Sequence, residues 1–197
     1  MDRRTFLQEG PLAFLQAVLH GGSKEDPRPG NGSDSLLRPP GAAPEAEFLE
    51  LCCGIGACAE ACPANAIQLV ARPGDPARLT PVIVPSEAAC IVCEELACTK
   101  ACPSGALLPV AREEIRIGVA RICADECLAW TNTDPGCDYC VDRCPLGSRA
   151  IAMDRVEQRR RPVVKEGCIG CGVCEYYCPT RPSAIRVYGR DRYYRED

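Results

Sequence analysis

Between Cys168 and Pro179 the chain reads C-I-G-C-G-V-C-E-Y-Y-C-P, four thiols within eleven residues and a proline behind them. Thiolate is a soft ligand, and C-x2-C-x2-C-x3-C-P is the bacterial-type run of iron–sulfur ligands. The first three cysteines come off one tight turn and can hold three corners of a cubane cluster. Gly170 and Gly172 let the backbone close around an inorganic core where a side chain would clash. Cys178 is expected to open a short helical turn and to reach a neighbouring cluster. Pro179, which has no N–H to donate, ends that turn.

Three more runs of this kind precede it. Cys90, Cys93, Cys98 and Cys102 form C-x2-C-x4-C-x3-C-P, with two extra residues between the second and third ligands. In the next run, Cys127 is separated by a long loop with Trp130 and Asp134-Pro135-Gly136 from Cys137, Cys140 and Cys144. Cys123 competes with Cys127 for the first position. It ends a predicted strand, where a free cysteine packs as a small apolar residue, so Cys127 is preferred. The earliest run is irregular. Its G-A-C-A-E-A-C-P places Cys52, Cys58 and Cys62 on ligand positions, but the second position falls on Ile55, which cannot bind iron. Either Cys53 supplies the missing thiolate, or the site holds a three-iron cluster, or its cluster is labile or absent. Sixteen ligands for four cubanes leave one thiol over, which fits Cys53 as a ligand and Cys123 as the spare.

Composition points the same way. The 197 residues hold 17 Cys but only 3 Phe, 1 Trp and 2 Met, too few large apolar side chains for a conventional core. Cysteine at this density implies staples, either disulfides or metal. An odd count leaves a remainder under full disulfide pairing, and a disulfide scaffold has no need of glycine between cysteines or proline after each fourth one. Structural zinc uses paired C-x2-C halves a dozen or more residues apart, often with His; the only His, His20, is given no role. The net charge of −4 argues against non-specific nucleic-acid binding. No apolar stretch approaches the ~20 residues of a membrane span.

The elements that must position these thiols repeat with them. After Cys62, Cys102, Cys144 and Cys178 the chain runs through Pro, a short turn and Ala into an apolar segment. Predicted strands follow the runs at Ile67–Ala71, Leu107–Val110, Ile151–Met153 and Ile185–Tyr188, and precede them at Pro81–Val84, Ile117–Ile122 and Pro162–Lys165. The unit is strand, ligand loop, short helix, strand, and an internal repeat outranks any single-segment reading. Residues 1–20 read as an amphipathic helix over Thr5–Leu19, which favours a cytoplasmic protein. Arg3 and Arg4 offer the alternative of a degraded twin-arginine signal and export to the periplasm, but no cleavage site follows. Residues 21–44, rich in Gly, Pro and Ser, read as a flexible linker, with Leu36 and Leu37 touching the domain at most. Residues 45–190 form the cluster-binding domain and 191–197 a tail. Arg155, Arg159, Arg160 and Arg161 read as a solvated hairpin tip, with an electrostatic docking patch for an acidic partner as the alternative.

The order of these words is similar to that of the NapG/MauM-type polyferredoxins. The resemblance is carried by R-P-P-G-A (38–42), E-F-L (47–49), G-A-C-A-E-A-C-P, the run at 90–103, C-D-Y-C-V-D-R-C-P-L from Cys137 and C-I-G-C-G-V-C from Cys168. It implies an α+β fold of two ferredoxin-like dicluster modules, short strands and helices built around four [4Fe–4S] clusters. It also implies electron transfer between a quinol-oxidising membrane partner and a redox enzyme. Two departures stand out, Ile55 and the degraded signal. On this scheme the first run pairs with the fourth, residues 45–80 with 155–190, and the second with the third inside 81–154. Cys178 then joins the Cys52, Cys53 and Cys58 cluster, Cys62 joins Cys168, Cys171 and Cys174, Cys144 joins the second run and Cys102 the third.

The function expected is therefore a one-electron relay rather than an enzyme. No G-x-G-x-x-G, Walker loop or Ser/His/Asp set is present. Two other readings are an accessory or maturation protein for a partner oxidoreductase, and a catalytic cluster at the irregular first site.

Overall fold

The computed structural model describes residues 36–189; the expected N-terminal helix or signal, linker residues 21–35 and the tail lie outside them. Helix α1 (Glu45–Leu51) leads into the first ligand loop. A four-residue helix, α2 (Ala57–Glu60), follows, and then the hairpin β1 (Ile67–Arg72) and β2 (Asp75–Ile83). After the second loop comes α3 (Ala97–Lys100), and then β3 (Val119–Ile122) and α4 (Leu128–Thr131). The remainder is α5 (Tyr139–Asp142), the hairpin β4 (Ile151–Val156) and β5 (Arg159–Val164), α6 (Val173–Tyr176) and β6 (Ile185–Tyr188).

The strands form three two-stranded antiparallel sheets, β1–β2, β3–β6 and β4–β5. Isolated two-stranded pairs are marginal in water, so their stability has to come from what packs against them. The pairing also sorts the chain. In the earlier half, β1 pairs with β2, Leu37 bridges to Ile83 and Ala42 to Leu107, and α2 packs on α3. In the later half, β3 pairs with β6, β4 with β5, and α5 packs on α6. Each half is thus a hairpin flanked by a first and a last segment that meet.

This corrects the nested scheme of the sequence reading. Residues 45–80 do not join 155–190, and 81–154 is not one unit; runs one and two share a half, as do runs three and four. The physical reason is connectivity. The strand leaving run one turns back through Gly74 directly into the strand entering run two, and consecutive elements usually stay neighbours. The predicted strand Leu107–Val110 is also absent, reduced to the single Leu107 bridge. The helical turn expected at Cys178 lies instead before it, as α6.

The linker ends earlier than its composition suggests. Leu37, Arg38, Pro39 and Pro40 are buried. Arg38 grips the Glu45 carboxylate with two hydrogen bonds, Nε at 2.8 Å and Nη2 at 2.6 Å. Its Nη1 donates to the Thr80 hydroxyl at 2.7 Å and the Pro81 carbonyl at 2.8 Å. The guanidinium lies 4.6 Å from the centre of the Phe48 ring. A buried cation is tolerated when it is paired and its donors are satisfied, and here both conditions hold. In the later half Arg161 is buried too, stacked 4.5 Å over Trp130 and held by Glu157, so it takes no part in an exposed basic patch. Arg155, Arg159 and Arg160 are exposed, within the strands rather than at the tip. No described helix is long and apolar enough to cross a membrane.

Phe48 is fully buried under Arg38, so Phe48→Ala opens a cavity beneath a charge. A loss of about 3–5 kcal/mol is expected, measured as a lower denaturant midpoint by near-ultraviolet circular dichroism.

Candidate iron–sulfur centres

The four short helices α2, α3, α5 and α6 place thiols in one repeated way. Each carries a cysteine as its second residue, Cys58, Cys98, Cys140 and Cys174, and is followed four positions later by Cys62, Cys102, Cys144 and Cys178. The two cysteines of a helix line different cavities. Cys52, Cys53, Cys58 and Cys102 line the first, a space of about 290 Å³. Cys90, Cys93 and Cys98 line the second with Cys62, about 350 Å³. Cys127, Cys137 and Cys140 line the third with Cys178, about 360 Å³. Cys168, Cys171 and Cys174 line the fourth with Cys144, also about 360 Å³. Each fourth cysteine therefore crosses into the adjacent cavity of its own half. Cys102 and Cys178 exchange places with respect to the nested scheme, and so do Cys62 and Cys144. Cys123 lines none of the four.

The cavities are strung together. The Cys90 N–H donates to the Cys171 carbonyl at 2.9 Å, joining the second cavity to the fourth across the two halves. Helix α5, which carries Cys140, packs on α6, which carries Cys174, and this joins the fourth to the third. The order in space is one, two, four, three.

Their chemistry is that of desolvated sulfur. Apart from the cysteines, the walls of the second and fourth are apolar or glycine, and Tyr139 and Thr180 add hydroxyls to the otherwise apolar third. Burial, then the neighbouring Cys52 and Cys102, pushes Cys58 up to about 11. Burial likewise takes Cys90 to about 11, and Cys98, Cys140 and Cys171 to about 12, with neighbouring thiols adding to it. Two of the crossing thiols differ. Burial raises Cys102 and Cys178, but hydrogen bonds outweigh it and hold both below the usual thiol value. Cys102 receives the Leu107 N–H at 3.4 Å and has the Ser104 hydroxyl at 3.6 Å; Cys178 has the Thr180 hydroxyl at 3.2 Å. The Ala66 N–H points at Cys62 and the Ala120 N–H at Cys168, each at 3.4 Å.

Four thiols converging from two loops, water-poor walls and N–H groups aimed at sulfur suit a group that shares out negative charge over several sulfurs. At the second, third and fourth cavities the residues present fit an iron–sulfur cluster. Close packing on neighbouring protein, rather than the cavity, is what the glycines of the fourth loop answer to. A Cβ on Gly170 would stand 2.3–2.5 Å from the backbone of Gly118, and one on Gly172 would stand 2.6 Å from Cβ of Pro85. At the first cavity Ile55 stands at 65 % exposure on the loop, and Cys53 is exposed.

Comparison with known proteins agrees with this chemistry. Residues 135–181 match a family described as a 4Fe-4S dicluster domain, and residues 48–68 one described as a 4Fe-4S binding domain. The chain is 36 % identical to the methylamine utilization ferredoxin-type protein MauM of Methylophilus methylotrophus, over 96 % of this chain and 85 % of that protein. Identity to MauM of Paracoccus denitrificans (strain Pd 1222) is 40 %, over 79 % and 72 %. To the ferredoxin-type protein NapG of Escherichia coli (strain K12) it is 34 %, over 94 % and 84 %.

Metal must bind these sulfurs as thiolates, yet burial keeps their protons on at neutral pH. Anaerobic reconstitution with iron and sulfide is therefore expected to release protons, and apparent iron affinity to rise with pH toward about 12. A pH-stat titration measures both.

Proposed function

The chain belongs to the MauM/NapG family of ferredoxin-type iron–sulfur proteins, and from that membership we propose that it relays single electrons from a donor to a redox enzyme. The reading has two dicluster modules, residues 36–116 and 117–189, with one cluster in each of four cavities. An iron–sulfur cluster, when bound, takes up and returns one electron with little rearrangement. The thiols hold it, the apolar walls keep water from the sulfurs, and the N–H and O–H donors set how readily negative charge is accepted there.

The observation that carries this reading is the crossing of thiols. Cys58 with Cys62, Cys98 with Cys102, Cys140 with Cys144 and Cys174 with Cys178 each tie two cavities to one short helix. Neighbouring cavities are thereby kept within one helical turn of backbone, and the Cys90–Cys171 hydrogen bond continues the series between the halves. The ends of the line, cavities one and three, are where a donor and an acceptor would dock. A quinol-oxidising partner as donor fits the family. The methylamine utilization in the MauM relatives' names makes the use of an amine substrate one setting for the relay.

The crossing has a direct test in paired variants of the anaerobically purified protein. Cys144→Ser with Cys171→Ser removes no more iron than either change alone, because both belong to one cavity. Cys144→Ser with Cys93→Ser removes the iron of two. Additive loss in the first pair, or a shared loss in the second, sinks the assignment.

A second test concerns charge acceptance. A coordinated thiolate has no proton, so the hydroxyl at Cys178 has to be the donor, and that bond stabilises the reduced, more negative state. Thr180→Ala should lower the midpoint potential of the third site in an EPR-monitored redox titration, while Thr180→Ser leaves it near the parent value.

A further inference from the structure

The first cavity is the one place where the ligand set does not close. Its loop can be compared residue by residue with the fourth, because the two share a backbone. Gly54 has φ +71° and Gly170 +72°, while Gly56 has +86° and Gly172 +84°. In each loop the second of these glycines caps a four-residue helix, α2 or α6. Matched in this way, Cys52 corresponds to Cys168, Cys58 to Cys174, Ile55 to Cys171 and Cys53 to Ile169.

Cys53 lines the first cavity, but the backbone on either side of it is tied against a shift to the place of Ile55. The Cys52 N–H donates to the Phe48 carbonyl at 2.9 Å, and the Cys52 carbonyl accepts from Arg78 at 2.9 Å. A Cβ on Gly54 would meet the Leu79 carbonyl at 2.6 Å, so the backbone there is already in close contact with β2. Moving Cys53 to the vacant corner means sliding two residues, up to roughly 7 Å of extended chain, through those contacts. The matching position is buried Ile169 in the fourth loop and 51 % exposed Ile91 in the second, each an apolar wall residue of its cavity rather than a ligand, and Cys53 is exposed at the edge of the first. The thiols that act on Cys58 through their charge are Cys52 and Cys102.

We propose that the first site is built from three thiolates, Cys52, Cys58 and Cys102, and that its remaining corner, beneath the exposed Ile55, is open to a small oxygen ligand from solvent, with Cys53 outside the set. This rests on the cluster-binding reading above. Iron at that corner is exchangeable. Its departure as Fe2+ from a four-iron cluster of charge 2+ leaves a neutral three-iron cluster, with no electron transferred. Added ferricyanide then takes one electron from that remnant and gives the EPR-active oxidised form.

The full-length protein, purified anaerobically, is treated with ferricyanide and followed by iron analysis and EPR. The parent should lose about one iron per chain and gain a three-iron signal. Cys53→Ser and Cys53→Ala should behave like the parent. Ile55→Cys, a change at an exposed position, should retain the iron and suppress the signal. Loss of the first-site signal in both Cys53 variants would make Cys53 a ligand and overturn the proposal, as would an Ile55→Cys protein that still sheds iron. Iron-loaded parent protein that gives no three-iron signal overturns it as well, while leaving the relay reading standing. A parent chain isolated without any iron overturns the relay reading itself.

Discussion

Sulfur withheld from water is the constraint on which the rest of this structure depends. Thiols from separated loops are gathered at apolar cavities, where burial makes their ionisation unfavourable unless a cation is present to share the charge. The chain has little else with which to hold itself together. Its sheets are two-stranded, its ligand-bearing helices are a single turn, and Phe48 is the one phenylalanine in the buried core of the described residues. A helix of four residues is far below the length that is stable alone in water. Each of these helices is instead fixed at both ends by thiols committed to different cavities, so a shift that suits one cavity disturbs the next.

This explains which parts of the fold were legible beforehand. The ligand loops and most flanking strands could be read because spacing and apolar runs report local geometry. β1, β4 and β6 begin where the Cys-Pro turns end, at Ile67, Ile151 and Ile185. That a fourth cysteine crosses over is also written in the run. The run to which it crosses is not, because the C-x2-C-x2-C-x3-C-P spacing is the same whichever partner lies opposite. Chain connectivity decides that, through the tight β1–β2 and β4–β5 turns.

Other differences have the same origin, long-range contacts that leave no local period. Residues 37–43 look like linker, yet Arg38 is drawn in by partners at Glu45, Thr80 and Pro81. Arg161 reads as one of four surface arginines, but Trp130 is 31 positions away in sequence and directly beneath it. With Arg161 removed, the exposed set is Arg155, Arg159 and Arg160. Arg155 and Arg160 stand directly opposite across the β4–β5 ladder. Like charges at such a pair repel, which is tolerable where water screens them and at odds with a buried role.

The first and second loops together show how far shape and ligation can be separated. The second keeps all its thiols and has lost both glycines. Val92 and Leu96 stand at the positions of Gly170 and Gly172 and keep the left-handed conformation at φ +54° and +43°. For side chains of this kind that conformation costs of order 1–3 kcal/mol each, and both are buried at 2 % and 7 % exposure, so packing holds them there. The first loop is the reverse case, with both glycines present and Ile55 where the fourth has Cys171, and its backbone angles match those of the fourth. One loop reaches the shape without glycine and the other without a full ligand set. Neither feature is therefore indispensable to the backbone, and the loop is over-determined by packing on β2 and on the helix that follows it. A corner of a ligand set can consequently differ while the backbone of the loop stays as it is.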